Sequence, residues 1–146
     1  MDKIALTDLG RTAQGVLSSL PHKTDGATVV ALQGDLGAGK TTFVQALARE
    51  LGVAEAVQSP TYVLMKKYDI SYRTFTHLIH IDAYRLEKPG EFAALQPETF
   101  LRDPANLVCV EWPEKVAGAL PKPDVLLKFS SEAAGAAERC IDISAV

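Results

Sequence analysis

One eight-residue run constrains this chain more than any other feature. Gly34, Asp35, Leu36, Gly37, Ala38, Gly39, Lys40 and Thr41 fit G-x-x-x-x-G-K-[ST] at every fixed position. The flanks agree with it. A β-branched run, TVVALQ, precedes the loop and suits a buried parallel strand. Residues 40–51 then place Phe43, Val44, Leu47, Ala48 and Leu51 on one helical face, and Gly52 ends the pattern. Small residues let a backbone wrap closely around phosphate oxygens. Amides of Asp35, Leu36, Gly37, Ala38 and Gly39 would form the cradle, with the positive end of the helix aimed at it. Lys40 would reach the β- and γ-phosphates, and the Thr41 hydroxyl would ligate Mg²⁺. Thr42 adds a hydroxyl for a phosphate nearer the sugar. Asp35 is an acid beside phosphates, read as facing solvent in preference to helping position water or metal.

The remaining elements fit around this unit. Leu9, Ala13, Val16, Leu17 and Leu20 give residues 7–20 a helical stripe, stopped by Pro21. Residues 61–68 and 76–82 read as strands joined through DISYRT. Residues 89–102 carry a helical pattern broken at Pro97. Residues 106–110 form another short apolar strand, followed by a short helix through Val116 and Leu120. Residues 124–129 and 139–146 read as an antiparallel strand pair. The expectation is one α/β domain over residues 1–146. It would be P-loop NTPase-like, with a central mostly parallel sheet, flanking helices and additional antiparallel strands.

Composition narrows the class further. With 146 residues the chain is about one domain long, and 47% apolar content suits a globular core. No apolar run approaches the roughly 20 residues of a membrane helix. The first residues, MDKIALTDLGRTAQ, hold no apolar signal core, so a cytoplasmic protein is expected. A net charge of −3 argues against a domain that coats nucleic acid, though not against work inside an RNA-binding complex. Cys109 and Cys140 lie in apolar strand-like runs and are read as buried thiols.

A triphosphatase of this type needs an acid at the end of a neighbouring strand. Asp82 ends HLIHID and Glu111 ends LVCVE. Both reach the loop if their strands run parallel to TVVALQ. One would ligate metal and the other orient water, and the spacing does not assign which. Thr61, in SPTY, is a hydroxyl that can sense a γ-phosphate, or simply part of a turn. Arg85 can neutralise phosphate charge or make a surface ion pair. Trp112, the only tryptophan, follows Glu111 and is read as stacking on a base or a partner, or as core. His77 and His80 are read as sharing strand parity without a third ligand, so no zinc site is expected.

GDLGAGKTTF, SPTY, HIDAYRLE and VEWPEK occur in this order. Together they resemble the TsaE family of bacteria, formerly YjeE, the ATPase of tRNA threonylcarbamoyladenosine biosynthesis. The resemblance covers residues 34–115. It implies a small P-loop fold, ATP and Mg²⁺ binding, and hydrolysis that is slow in the isolated chain. It also implies TsaB and TsaD as partners. TsaD transfers threonylcarbamoyl to adenosine 37 of tRNAs reading codons that start with A, so tRNA is met only through the complex. By motif, Lys40 and Thr41 become the phosphate and metal residues. Glu111 becomes the second metal-site residue, with Asp82 near the metal or the attacking water. Thr61 becomes the switch-like hydroxyl, Trp112 lies near the nucleotide, and Thr7 matches the threonine that opens the first helix. The family variant SPTF is SPTY here.

Three other readings share the loop. A small-molecule kinase needs an arginine-bearing lid, and residues 87–102 offer only Arg102 and Lys88. A nucleotide-gated binding module overlaps the family role. A GTPase needs an N-K-x-D-type segment, and Asn106 is the only asparagine.

Overall fold

The β-branched run ahead of the loop forms a strand at the heart of the sheet. The computed structural model describes residues 2–54, 64–130 and 138–145. Its strands are β1 (Asp2–Ala5), β2 (Thr28–Gly34), β3 (Met65–Tyr72), β4 (Phe75–Asp82), β5 (Asn106–Glu111), β6 (Val125–Ser130) and β7 (Glu138–Ala145). They make one seven-stranded sheet in the order β1-β7-β6-β2-β5-β4-β3. The middle four, β6, β2, β5 and β4, run parallel. β3 adds antiparallel on one side, and β7 and then β1 add antiparallel on the other. This is the P-loop NTPase-like arrangement expected: a mostly parallel centre with antiparallel additions.

β2, β4 and β5 are buried on both faces over most of their length, which is why they are apolar without alternation, whereas β6 alternates and leaves Lys128 exposed. All of β5 is buried. On one face, α1 (Leu9–Ser18) and α2 (Lys40–Glu50) pack Leu17, Phe43, Val44 and Leu47 against Val30, Leu32, Leu78 and Leu107. On the other, α3 (Pro89–Ala93), α4 (Pro97–Leu101) and a 3₁₀ turn (Pro113–Val116) bring Phe92, Phe100 and Val116 onto Val29, Ile79, Val108 and Val110. Phe43 meets Phe129 edge-on, with ring centres 5.8 Å apart. Such a pair is worth about 1 kcal/mol beyond its burial. Among the described residues no helix is long and apolar enough to cross a membrane.

Several boundaries differ from the sequence expectation. The first helix starts at Leu9, after a 3₁₀ turn at Leu6–Asp8, so Thr7 lies before it. β1 was not expected: a four-residue edge strand carries too little pattern to read. Where DISYRT was expected to be the hairpin turn, β3 continues to Tyr72. Only Arg73 and Thr74 turn the chain, with Tyr72 opposite Phe75 and Arg73 at φ 54°. A tertiary contact supports this tight turn. The Arg73 guanidinium donates to the carbonyls of Ser18 and Leu20 at 2.9 Å each, satisfying groups that the end of α1 leaves open. The helix expected after Trp112 is the single 3₁₀ turn, and Pro97 opens α4 from its first turn. His77 and His80 are three residues apart on a strand, so they face opposite sides, contrary to the shared parity expected.

Register sets the site. Leu32 of β2 and Asp82 of β4 both pair with Glu111 of β5. Both acids therefore end level at the carboxyl edge, where β2 passes into the loop. Gly34 makes that exit possible. A Cβ there would stand 2.5 Å from the Phe129 carbonyl oxygen of β6, a backbone atom that cannot swing aside. Gly34→Ala should cost about 1–3 kcal/mol of stability by overpacking. Urea denaturation checks this, and an unchanged midpoint would contradict the assigned close approach.

Candidate functional site

The loop turns on its glycines. Gly37 has φ 80° and Gly39 φ 104°, conformations that side chains resist. The Ala38 amide donates to the Asp35 carbonyl at 3.1 Å, and α2 starts directly at Lys40. The Asp35 side chain is exposed, as expected, while Ala38 is buried.

Lys40 is only 4% exposed. Its ammonium donates to the carbonyls of Gly34 at 2.6 Å and Asp35 at 2.8 Å, and lies 4.4 Å from the Trp112 ring centre. Burial pushes this amine below its ordinary value, while the charges of Glu111, Asp82, Glu114 and Asp35 work the other way. The ammonium thus sits on weak dipoles inside its own loop, where an anion would satisfy it better.

The Thr41 hydroxyl lies 2.9 Å from each oxygen of Glu111. Glu111 is 3% exposed and also meets His80 Nε2 at 2.5 Å through Oε2. Asp82 is 6% exposed, and its Oδ1 accepts from the Tyr84 amide at 3.0 Å. Trp112 takes a left-handed backbone, φ 60° and ψ 52°, at the chain reversal after β5. Its amide is held by the Leu32 carbonyl at 3.2 Å, and its ring lies 5.1 Å from that of Tyr84. These groups surround a cleft of about 410 Å³. Leu36, Gly37, Gly39, Lys40, Thr41 and Thr42 line one side, and Asp82, Tyr84, Arg85, Glu111 and Trp112 the other.

Of the residues predicted from sequence, the fold brings Lys40, Thr41, Thr42, Asp82, Glu111 and Trp112 to this cleft. Thr7 is not among the residues lining it; it stands exposed in the turn before α1. Thr61 lies outside the described residues. Sequence reasoning gave no role to Tyr84, whose signal was its place in HIDAYRLE, or to His80, which was set aside as a metal ligand. The usable signal for His80 was its position two residues before Asp82, which puts both on one face of β4.

The donor set suits Mg²⁺. Thr41, Glu111 and Asp82 offer hard oxygens on one side of a phosphate-binding loop. Among the described residues no three His, Cys, Asp or Glu side chains cluster as a self-sufficient metal cage. A magnesium ion shared with phosphates needs only one or two protein ligands, so the set fits that case.

A family model described as "Threonylcarbamoyl adenosine biosynthesis protein TsaE" matches residues 6–141. The chain belongs to the TsaE family. The TsaE of Nostoc is 36% identical over 146 aligned residues, covering 94% of this chain and 85% of its own. That of Haemophilus influenzae is 33% identical, covering 88% and 77%. That of Bacillus subtilis is 37% identical, covering 81% and 70%. The crystal structure of Bacillus subtilis YdiB superposes with a TM-score of 0.69 at 25% identity, covering 99% of this chain and 84% of that one. TsaE membership agrees with the resemblance carried by the loop, SPTY, HIDAYRLE and VEWPEK.

The buried Lys40 has a pH signature whose sign follows from its lowered pKa. Between the folded-state pKa and 10.5, the unfolded chain holds a proton that the folded chain has released. Stability contributed by this group therefore rises with pH in that window. The unfolding free energy of the wild type relative to Lys40→Met should increase as pH approaches 10.5. Urea denaturation across an alkaline pH series measures it, and a relative decrease would contradict the assignment.

Proposed function

We propose that this TsaE-family chain is a Mg²⁺-dependent ATPase of tRNA threonylcarbamoyladenosine formation. In this reading it acts in the cytoplasm on a TsaB–TsaD complex, driving that complex's turnover with ATP and meeting tRNA only through it. One observation carries the catalytic part: Thr41 and Glu111 meet beside a buried Lys40 whose hydrogen bonds among the described residues go to carbonyls and which faces an aromatic ring. The TsaE membership supports the pathway and the partners.

Each residue has a role that follows from its position. The loop amides and the N-terminus of α2 bind the phosphates. Lys40 leaves the Gly34 and Asp35 carbonyls to pair with the β- and γ-phosphates. Thr41 and Glu111 are the residues to hold Mg²⁺, with Asp82 beside them. When bound there, Mg²⁺ neutralises charge on the phosphate oxygens. Asp82, at the same edge, orients the attacking water. Thr42 contacts a phosphate nearer the sugar, and Thr61, which lies outside the described residues and is assigned by motif alone, senses the γ-phosphate. Trp112 and Tyr84 wall the nucleotide side of the cleft. Turnover is slow in the isolated chain and rises in the complex.

Two variants test these roles. Lys40→Ala should abolish tight ATP binding in an equilibrium titration, and binding retained would remove the loop assignment. Glu111→Ala should lower hydrolysis about 100-fold while changing nucleotide affinity far less. Turnover measured with and without TsaB–TsaD should rise when the heterodimer is added. Turnover indifferent to it, with no co-elution, would sink the partner assignment.

A further inference from the structure

Among the described residues, His80 is a fully buried ionisable side chain of this sheet face that the roles above leave unused. It is 0% exposed and stands two residues before Asp82 on β4. In register it sits beside Cys109, on the face where Leu78, Leu107 and Cys109 are apolar core. An imidazole is a poor choice for such a place. One ring nitrogen, Nδ1, is buried with no hydrogen-bond partner, which costs stability that a leucine would not. The other, Nε2, meets Glu111 Oε2 at 2.5 Å. An ionised carboxylate only accepts, so Nε2 carries the hydrogen.

We propose that His80 is a positioning residue that holds Glu111 in its working orientation from beneath the cleft. Among the described residues Glu111 has two side-chain donors, Thr41 and His80. The metal role assigned above uses a lone pair of the Thr41 hydroxyl oxygen, and its single O–H is shared between the two carboxylate oxygens. His80 holds Oε2 from within the core, so it fixes the carboxylate's rotation from the side away from the metal. Thr41 approaches from α2 and His80 from β4, so the two grip the carboxylate from different elements. Outer partners of this kind fix the orientation of a ligand or base without touching substrate. The inference rests on the metal-site reading of Glu111.

The test separates the two. Binding of a fluorescent ATP analogue is titrated with and without Mg²⁺, and kcat and KM for ATP are measured alongside. A wild type that gains no affinity from Mg²⁺ overturns the metal-site reading and this inference with it. Where the wild type shows the gain, His80→Leu should reduce it about 10-fold and lower kcat about 10- to 100-fold. Mg²⁺-free affinity should stay within about twofold, while KM, which follows the affinity for ATP with Mg²⁺ when turnover is slow, should rise by about the lost gain. His80→Gln, whose amide nitrogen can stand where Nε2 stands, should recover most of both losses. A leucine variant equal to wild type overturns the inference, as do leucine and glutamine variants that fall equally. Should His80→Leu fail to fold, His80→Asn replaces it, keeping a polar group that is too short to reach Glu111. Glutamine well above asparagine then supports the role, and the two alike overturn it.

Discussion

The contact between Thr41 and Glu111 is the joint on which the site depends. It ties the first turn of α2 to the last residue of β5, 70 positions later in the chain. Nothing local could bring them together. The register of β2 against β5 does so, by setting Leu32 level with Glu111 just before the chain turns into the loop. The register of β5 against β4 then sets Asp82 beside Glu111. A slip of one residue would turn both acids to the opposite face, against the apolar core there. The two-sided apolar burial of these strands is therefore what fixes the chemistry at their ends.

The site stores unfavourable electrostatics that the core must offset. Lys40, Asp82 and Glu111 are all nearly excluded from water. Opposite charges nearby reduce the cost without removing it, as the lowered pKa of Lys40 indicates. Trp112 adds a backbone conformation that non-glycine residues avoid. A folding domain gains nothing from such features by themselves, and they fit the anion-binding role proposed above.

Much of this was legible from sequence. The loop is readable because phosphate binding demands glycine, lysine and threonine at fixed offsets, and the flanking periodicities confirm strand and helix. Asp82 and Glu111 are readable because each ends a solid apolar strand. Other parts were hidden for physical reasons. β1 owes its existence to pairing with β7, since four residues specify no strand alone. The β3–β4 turn shifted because Arg73 gains the open carbonyls of α1, a contact between distant segments. His80 was hidden because, read together with His77, it raised only the question of a metal site, and its partner Glu111 across the sheet shows only once the strands are in register. Thr7, matched by motif, is not among the described residues lining the cleft.

A cleft built for a nucleoside triphosphate with magnesium must bind one. Calorimetric titration of the purified chain with ATP, with and without Mg²⁺, decides this. One binding site per chain is expected, with affinity raised by Mg²⁺ and competed by ADP. Absence of binding in both conditions would contradict it, leaving the loop a glycine-rich turn.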